Sequence, residues 1–213
     1  MRKQFTWDGI VLRTYNVGEA DRLCIMLTKE RGRIAARARG VRRLASRMGS
    51  LLLPGRRITV DLREEGDRKT IAAARLNGDI EDLSNPKVFA TAQQGIELLL
   101  LLTEDDEPLP AVFDLLSQFL HAVALDPARA LPPFQLRLFH ILGFLPEHTD
   151  DRRFAELTDD DQSYVRLCAR QPDFMKLCEH AVSPAIHLLT ESLRMQHTAR
   201  TLQSAAVFSS LAC

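Results

Sequence analysis

Between Arg31 and Arg47 the chain carries seven arginines, Arg31, Arg33, Arg37, Arg39, Arg42, Arg43 and Arg47, and no acidic residue. Guanidinium groups at this density suit one kind of chemistry, because their planar forks hold phosphate oxygens bidentately and stack on exposed bases. Seven like charges so close together also repel one another, so the segment calls for a counter-charge. That counter-charge is either a nucleic acid or the acidic part of the same chain. The first 78 residues hold 18 Lys+Arg against 8 Asp+Glu and the remaining 135 hold 10 against 20, so a net charge of zero conceals two segments of opposite sign. Such a split points to a basic module that meets a polyanion, joined to a second module with another task. A solvated charged face is the plain alternative.

Other chemistries find little support. Cys168, Cys178 and His180 form a C-x9-C-x-H pattern that lacks the close-spaced pair of structural zinc sites. No HExxH, GxxxxGK[ST] or GxGxxG motif occurs. The four cysteines include no CxxC pair, as expected of buried thiols in a reducing compartment. The acidic runs Glu104–Glu107 and Asp159–Asp161 read as solvated surface. The expectation is a protein with no catalytic residues, no metal and no cofactor. The basic start MRKQFTWDG has no apolar segment behind it. The longest apolar run, Ile96–Leu102, includes Glu97 and falls far short of the roughly 20 residues that cross a bilayer. A cytoplasmic location and no membrane partner are therefore expected.

The elements that must position the arginines are short strands. Leu23, Ile25 and Leu27 alternate with Cys24 and Met26, Lys29-Glu30-Arg31-Gly32 turns the chain, and Ile34, Ala36 and Ala38 resume the alternation as a hairpin. Ile58, Val60 and Leu62 begin a second hairpin, turned at Glu65-Gly66-Asp67 and returning over Lys69–Leu76. With a strand around Gly9–Arg13 this makes about five strands, enough for a small closed or nearly closed barrel. Alternation places Arg33, Arg37 and Arg39 on one face and Ile34, Ala36 and Ala38 on the other. Beyond Gly40 the alternation stops, and Arg42, Arg43 and Arg47 extend the stripe along what reads as a flexible loop. Phe5 and Trp7 share the parity of Gly9 and Val11, which favours barrel core over base stacking; Tyr15 is the third aromatic of the basic segment.

After Leu76 the pattern changes to helical spacing. The polar stretch Asn77–Pro86 reads as linker and helix start, with Ser84 or Asn85 as N-cap. The expected organisation is a nucleic-acid-binding barrel over 1–78, a linker over 79–86 and a partner-binding α-helical domain over 87–213. Prolines 108, 110, 127, 132, 133, 146, 172 and 184 mark breaks between five or six helices. Thr158 before three aspartates, and Ser183-Pro184 before Ile186, Leu189 and Leu193, are helix starts.

Several short motifs occur in a telling order: Gly9-Ile10-Val11-Leu12-Arg13, Gly18-Glu19-Ala20-Asp21-Arg22-Leu23, Leu27-Thr28-Lys29-Glu30-Arg31-Gly32-Arg33-Ile34, Arg39-Gly40-Val41-Arg42-Arg43, and Ser46-Arg47-Met48-Gly49. Over about 75 residues this order resembles the N-terminal domain of the bacterial RecO recombination mediators. Leu136-Arg137-Leu138 and Leu142-Gly143-Phe144 loosely match that family's Leu-Gly-Tyr region. The resemblance implies an α+β protein, an OB-fold β-barrel followed by an all-α domain. It implies binding of single- and double-stranded DNA, annealing of complementary strands, and help in loading RecA onto DNA coated with single-strand-binding protein. RecR and the acidic C-terminal tail of single-strand-binding protein are the implied partners, RecA an indirect one, and the bound protein would be nucleoid-associated. The DNA contact falls on the same seven arginines. Pro146–Phe154 contains no cysteine, which fits the family's zinc-free subset, and the chain is short for the family. Arg129, Arg137, Arg166, Arg170 and Lys176 are the helical cations an acidic tail could meet. From the residues alone two rivals stay open: an OB-fold RNA-binding module, and an interaction protein whose basic barrel docks on acidic helices.

Overall fold

Period-two alternation builds the first part of the chain, β1 (Lys3–Val17), β2 (Asp21–Thr28), β3 (Gly32–Ala38), β4 (Arg57–Glu65) and β5 (Arg68–Leu76). The structure, a computed structural model, describes residues 3–77, 85–145 and 151–198. The strands close into a barrel in the order β1-β2-β3-β5-β4. All neighbours are antiparallel except β3 and β5, which meet in parallel through Arg37↔Thr70 and Ala38↔Ile71 alone. Five strands with this short seam form an OB-fold barrel, the expected fold. The strand expected around Gly9–Arg13 is the middle of a 15-residue strand. Its first part pairs with β4 and its second with β2, and a register shift between Val11 and Arg13 turns the wall between them.

Ile34, Ala36 and Ala38 of β3 and Ile58, Val60 and Leu62 of β4 point into the barrel core. In β2 both phases are apolar, and the core takes Cys24 and Met26. Trp7 belongs to the core, with Phe5 stacked on it at 4.9 Å. Burial pushes the Cys24 thiol up to about 11.

Helices follow: α1 (Pro86–Leu102), α2 (Pro110–Leu125), α3 (Pro127–Ile141), α4 (Arg152–Ala155), α5 (Asp159–Arg170), α6 (Phe174–Cys178) and α7 (Pro184–His197). The count among the described residues exceeds the expected five or six because α4 and α6 are single turns. Asn85 Oδ1 accepts from the Lys87 amide, Thr158 caps α5 and Ser183 caps α7, as their sequences imply. Pro132 and Pro133 do not end a helix. They sit buried in the second turn of α3, where only the carbonyls of Ala128 and Arg129 lose their donors. Gly95 is required by packing, since a Cβ there would lie 2.3 Å from Cε1 of the buried Phe119, which itself stacks on Phe134. Among the described residues no helix is long and apolar enough to cross a membrane.

The chain forms two compact units, one of Met1–Glu81 with Thr103–Ser117, the other of Asp82–Leu102 with Gln118–Cys213. Residues 79–84 of the expected linker lie outside the described residues. Thr103–Ser117, read from sequence as part of the helical domain, folds with the barrel. A local reading of charge and periodicity carries no sign of a partner some 70 positions away.

Candidate nucleic-acid interface

The β3 alternation does what the sequence implied: Arg37 and Arg39 face outward beside exposed Ala35, while Ile34, Ala36 and Ala38 are buried. Arg37 donates to Asp21 at 2.8 Å. Asp21 also accepts from the Gly40 amide at 2.7 Å. The Gly40 hydrogen bond, followed by Arg37, holds the Asp21 carboxyl below its usual range. Asp21 thereby fixes the end of β3 and aims Arg37 at the same time.

The loop beyond Gly40 is not the flexible tether the sequence suggested. Val41 and Leu52 are buried in the barrel core and Met48 packs against it. Arg22 Nη1 donates to the carbonyls of Gly49 and Leu52 at 3.1 and 2.9 Å. The Arg42 amide donates to Ala20 O, and its guanidinium to Gly18 O at 3.1 Å. The loop's apolar residues anchor it, leaving Arg42, Arg43 and Arg47 exposed on an ordered frame. Cations held in place lose less freedom on binding than cations on a mobile tether.

Two of the seven arginines have another role. Arg33 Nε lies 2.5 Å from Asp105, and Arg31 lies 3.5 Å from Asp106. The Asp106 amide donates to Arg33 O at 2.8 Å, and Asp105 forms a parallel bridge with Arg33. Lys69 reaches Asp106 at 3.2 Å, and Lys29 reaches Asp114 at 2.8 Å. The acidic run Glu104–Glu107, expected to be merely solvated, is therefore a strap across the start of β3. It covers Arg33 and reaches the still exposed Arg31, while Arg37, Arg39, Arg42, Arg43 and Arg47 face outward away from it. Gly32 makes the strap possible, with φ +67 and the Glu107 carbonyl so close that a Cβ would lie 1.7 Å from its oxygen.

Beside that set lies an open groove of about 820 Å³ at the β3–β5 seam. Its lining includes Leu23 and Ala35, the cations Arg37, Arg39, Arg63, Arg68 and Lys69, and the acids Glu65 and Asp67. Arg63, Arg68 and Lys69 escaped the sequence reading because Glu64, Glu65 and Asp67 interrupt them, leaving the hairpin without a basic run. For Arg63 and Arg68 the available signal was strand parity, since Arg63 pairs with Thr70 and Thr70 with Arg37 on one outer row that Arg68 shares, whereas Lys69 has the parity of the buried Ile71. The groove uses the β2–β3 face and the β4–β5 turn, the surfaces on which OB-folds bind oligonucleotides. Phe5 and Trp7, taken up by the core, offer no stacking surface there.

Elsewhere the chemistry is structural. Cys168 and Cys178 are buried free thiols, and burial pushes them up to about 12 and about 11. Among the described residues no group of three or more His, Cys, Asp or Glu is placed to hold a metal ion. Of the helical cations, Arg137 is committed to the carbonyls of Cys168 and Gln171. Arg129, Arg166, Arg170 and Lys176 are exposed.

Barrel, groove and helical unit together define an OB-fold protein with an α-helical second part. Two family profiles match it, "Recombination protein O N terminal" over residues 1–78 and "Recombination protein O C terminal" over 83–203. The chain belongs to the recombination protein O family. Among curated proteins it is similar to the DNA repair protein RecO of Nocardioides sp., with 34% identity over 71% of this chain and 64% of that protein. The RecO of Anaeromyxobacter dehalogenans is 33% identical over 65% of this chain and 56% of that protein. That of Myxococcus xanthus is 35% identical over 65% and 59%. The chain thus spans between 56 and 64% of the length of these relatives.

Proposed function

We propose that this chain is a DNA-binding mediator of recombination repair that grips the phosphates of single strands through its barrel, without covalent chemistry. The observation that carries the proposal is the groove at the β3–β5 seam, lined by Arg37, Arg39, Arg63 and Arg68 beside small and apolar side chains, with Lys69 held by Asp106. The relatives' name, DNA repair protein, supports DNA as the polyanion. Arg37, Arg39, Arg42, Arg43 and Arg47 are the primary contacts, with Arg63 and Arg68 extending the path. Neutralising the charge of two strands lets complementary bases meet, so annealing needs only bound phosphate. In this proposal RecR and the acidic tail of single-strand-binding protein are the partners, RecA is the recombinase served, and the cytoplasmic nucleoid is the place of action, each carried over from the resemblance alone.

Five to seven phosphate contacts give a log–log salt slope of about −3.5 to −5 on single strands, at roughly −0.7 per contact. Titrating one DNA oligonucleotide and the RNA of the same sequence at several salt concentrations tests this. A flat slope removes the phosphate grip, and a clear preference for RNA transfers the reading to an RNA-binding module.

The strap acts on the same surface. Asp106 has φ 56, a left-handed conformation that asparagine also tolerates, so Asp106→Asn removes its charge without straining the turn. Arg31 and Lys69 then lose their carboxylate and face the ligand. The expected result is severalfold tighter binding of single-stranded DNA at low salt and a slope steeper by up to about 1.4. An unchanged slope, measured by fluorescence anisotropy, would show that neither cation reaches DNA.

A further inference from the structure

Strand register places an aromatic side chain at the end of the cationic row. Tyr15 pairs with Leu23, Leu23 with Arg37, Arg37 with Thr70 and Thr70 with Arg63. The residues next in sequence point the other way, since Cys24, Ala36, Ala38, Ile71 and Leu62 all belong to the barrel core. The five paired residues therefore share the outer face. Leu23, Arg37, Thr70 and Arg63 line the groove, and Tyr15 stands next in line beside Leu23 with 49% of its surface exposed. The other aromatics of this unit are committed: Trp7 and Phe113 are buried, and Phe5 packs on the core. Two interstrand steps of about 4.8 Å set the Tyr15 and Arg37 backbones roughly 10 Å apart. One nucleotide together with an arginine side chain spans that distance.

We propose that Tyr15 is a nucleobase-stacking subsite of the groove, receiving an unpaired base of the single strand whose phosphate is held by Arg37. A tyrosine ring offers a large, flat, stiff surface at small cost in side-chain freedom, and every base has a π-face to lay upon it. Such a platform favours single strands over duplex, because a paired base is already stacked on its neighbours. The subsite rests on the phosphate-binding reading and adds to it a contact that does not depend on charge.

The test compares a twelve-nucleotide thymidine strand with a strand of equal length and charge in which the bases are replaced by abasic sites. Base–aromatic stacking is worth about 1–3 kcal/mol per base, so the intact protein is expected to bind the thymidine strand at least about fivefold more tightly. Tyr15→Phe keeps that preference. Tyr15→Ala and Tyr15→Leu abolish it, leucine supplying apolar area without a π-face, and neither changes the salt slope. Equal binding of the two strands by the unaltered protein overturns the stack and leaves the phosphate grip standing. Preference retained in Tyr15→Ala moves the stack to another residue and overturns the assignment. Absence of binding to either strand overturns stack and grip together.

Discussion

Replacing Gly32 with alanine is expected to destabilise the barrel by about 2–5 kcal/mol. Two effects add. At φ +67 the left-handed backbone costs an alanine about 1–2 kcal/mol. The new Cβ would also lie 1.7 Å from the Glu107 carbonyl oxygen and 2.4 Å from its carbon. That neighbour is backbone and cannot swing aside, and forcing an extra carbon into such a contact costs about 1–3 kcal/mol. If the strap yields instead, the Asp106 amide leaves Arg33 O, and Arg33, whose side chain is only 14% exposed, loses Asp105. Gly66 supplies the control, because it has φ +58 and nothing within 4 Å of an added Cβ. Gly66→Ala therefore carries the backbone cost alone. The single tryptophan, Trp7, lies in the barrel core, so its fluorescence during urea unfolding reports the barrel rather than the helices. A Gly32→Ala midpoint no lower than that of Gly66→Ala would mean that the strap is not seated on β3.

That the strap was missed from sequence while the barrel was legible has a physical reason. Ile58, Val60 and Leu62 announce a strand because their environment alternates with the pleat, and a run of five residues records it. The Thr158 and Ser183 caps are equally local, each spending its hydroxyl on an amide three residues on. Asp105 and Asp106 carry no such mark. What distinguishes them from solvated acids is Arg33 and Lys69, far away in the chain and brought near only by the fold. The loop after β3 misled for a related reason. Its arginines and serines suggest mobility, whereas Val41, Met48 and Leu52, spaced without any period, anchor it. Arg63, Arg68 and Lys69 were concealed by their acidic neighbours, because charge counted along a strand mixes its two faces. The candidate surface was thus legible where the arginines are dense and hidden where parity or distant partners decide.

Changing Arg37, Arg39, Arg42 and Arg43 together to alanine is expected to weaken single-stranded DNA binding by about 30- to 1000-fold at low salt. At roughly 0.5–1 kcal/mol for each exposed ion contact, the four amount to about 2–4 kcal/mol, with 1.4 kcal/mol per tenfold. The salt slope should flatten by about 2.8 at the same time. The barrel should survive, since all four side chains are exposed and Asp21 keeps its bond from the Gly40 amide when Arg37 is lost. Trp7 fluorescence checks that point. Net charge falls by four, and a less cationic protein binds any polyanion less well, so the loss alone does not locate the site. Changing the exposed Arg129, Arg166, Arg170 and Lys176 of the helices to alanine removes the same charge from the other unit. At about 0.15 M salt, where charges that make no direct contact with the strand are largely screened, this second variant should bind DNA nearly as the unaltered protein does if the barrel alone makes the contacts. Equal losses in the two variants would mean that DNA responds to total charge, and the β2–β3 face would cease to be the binding surface.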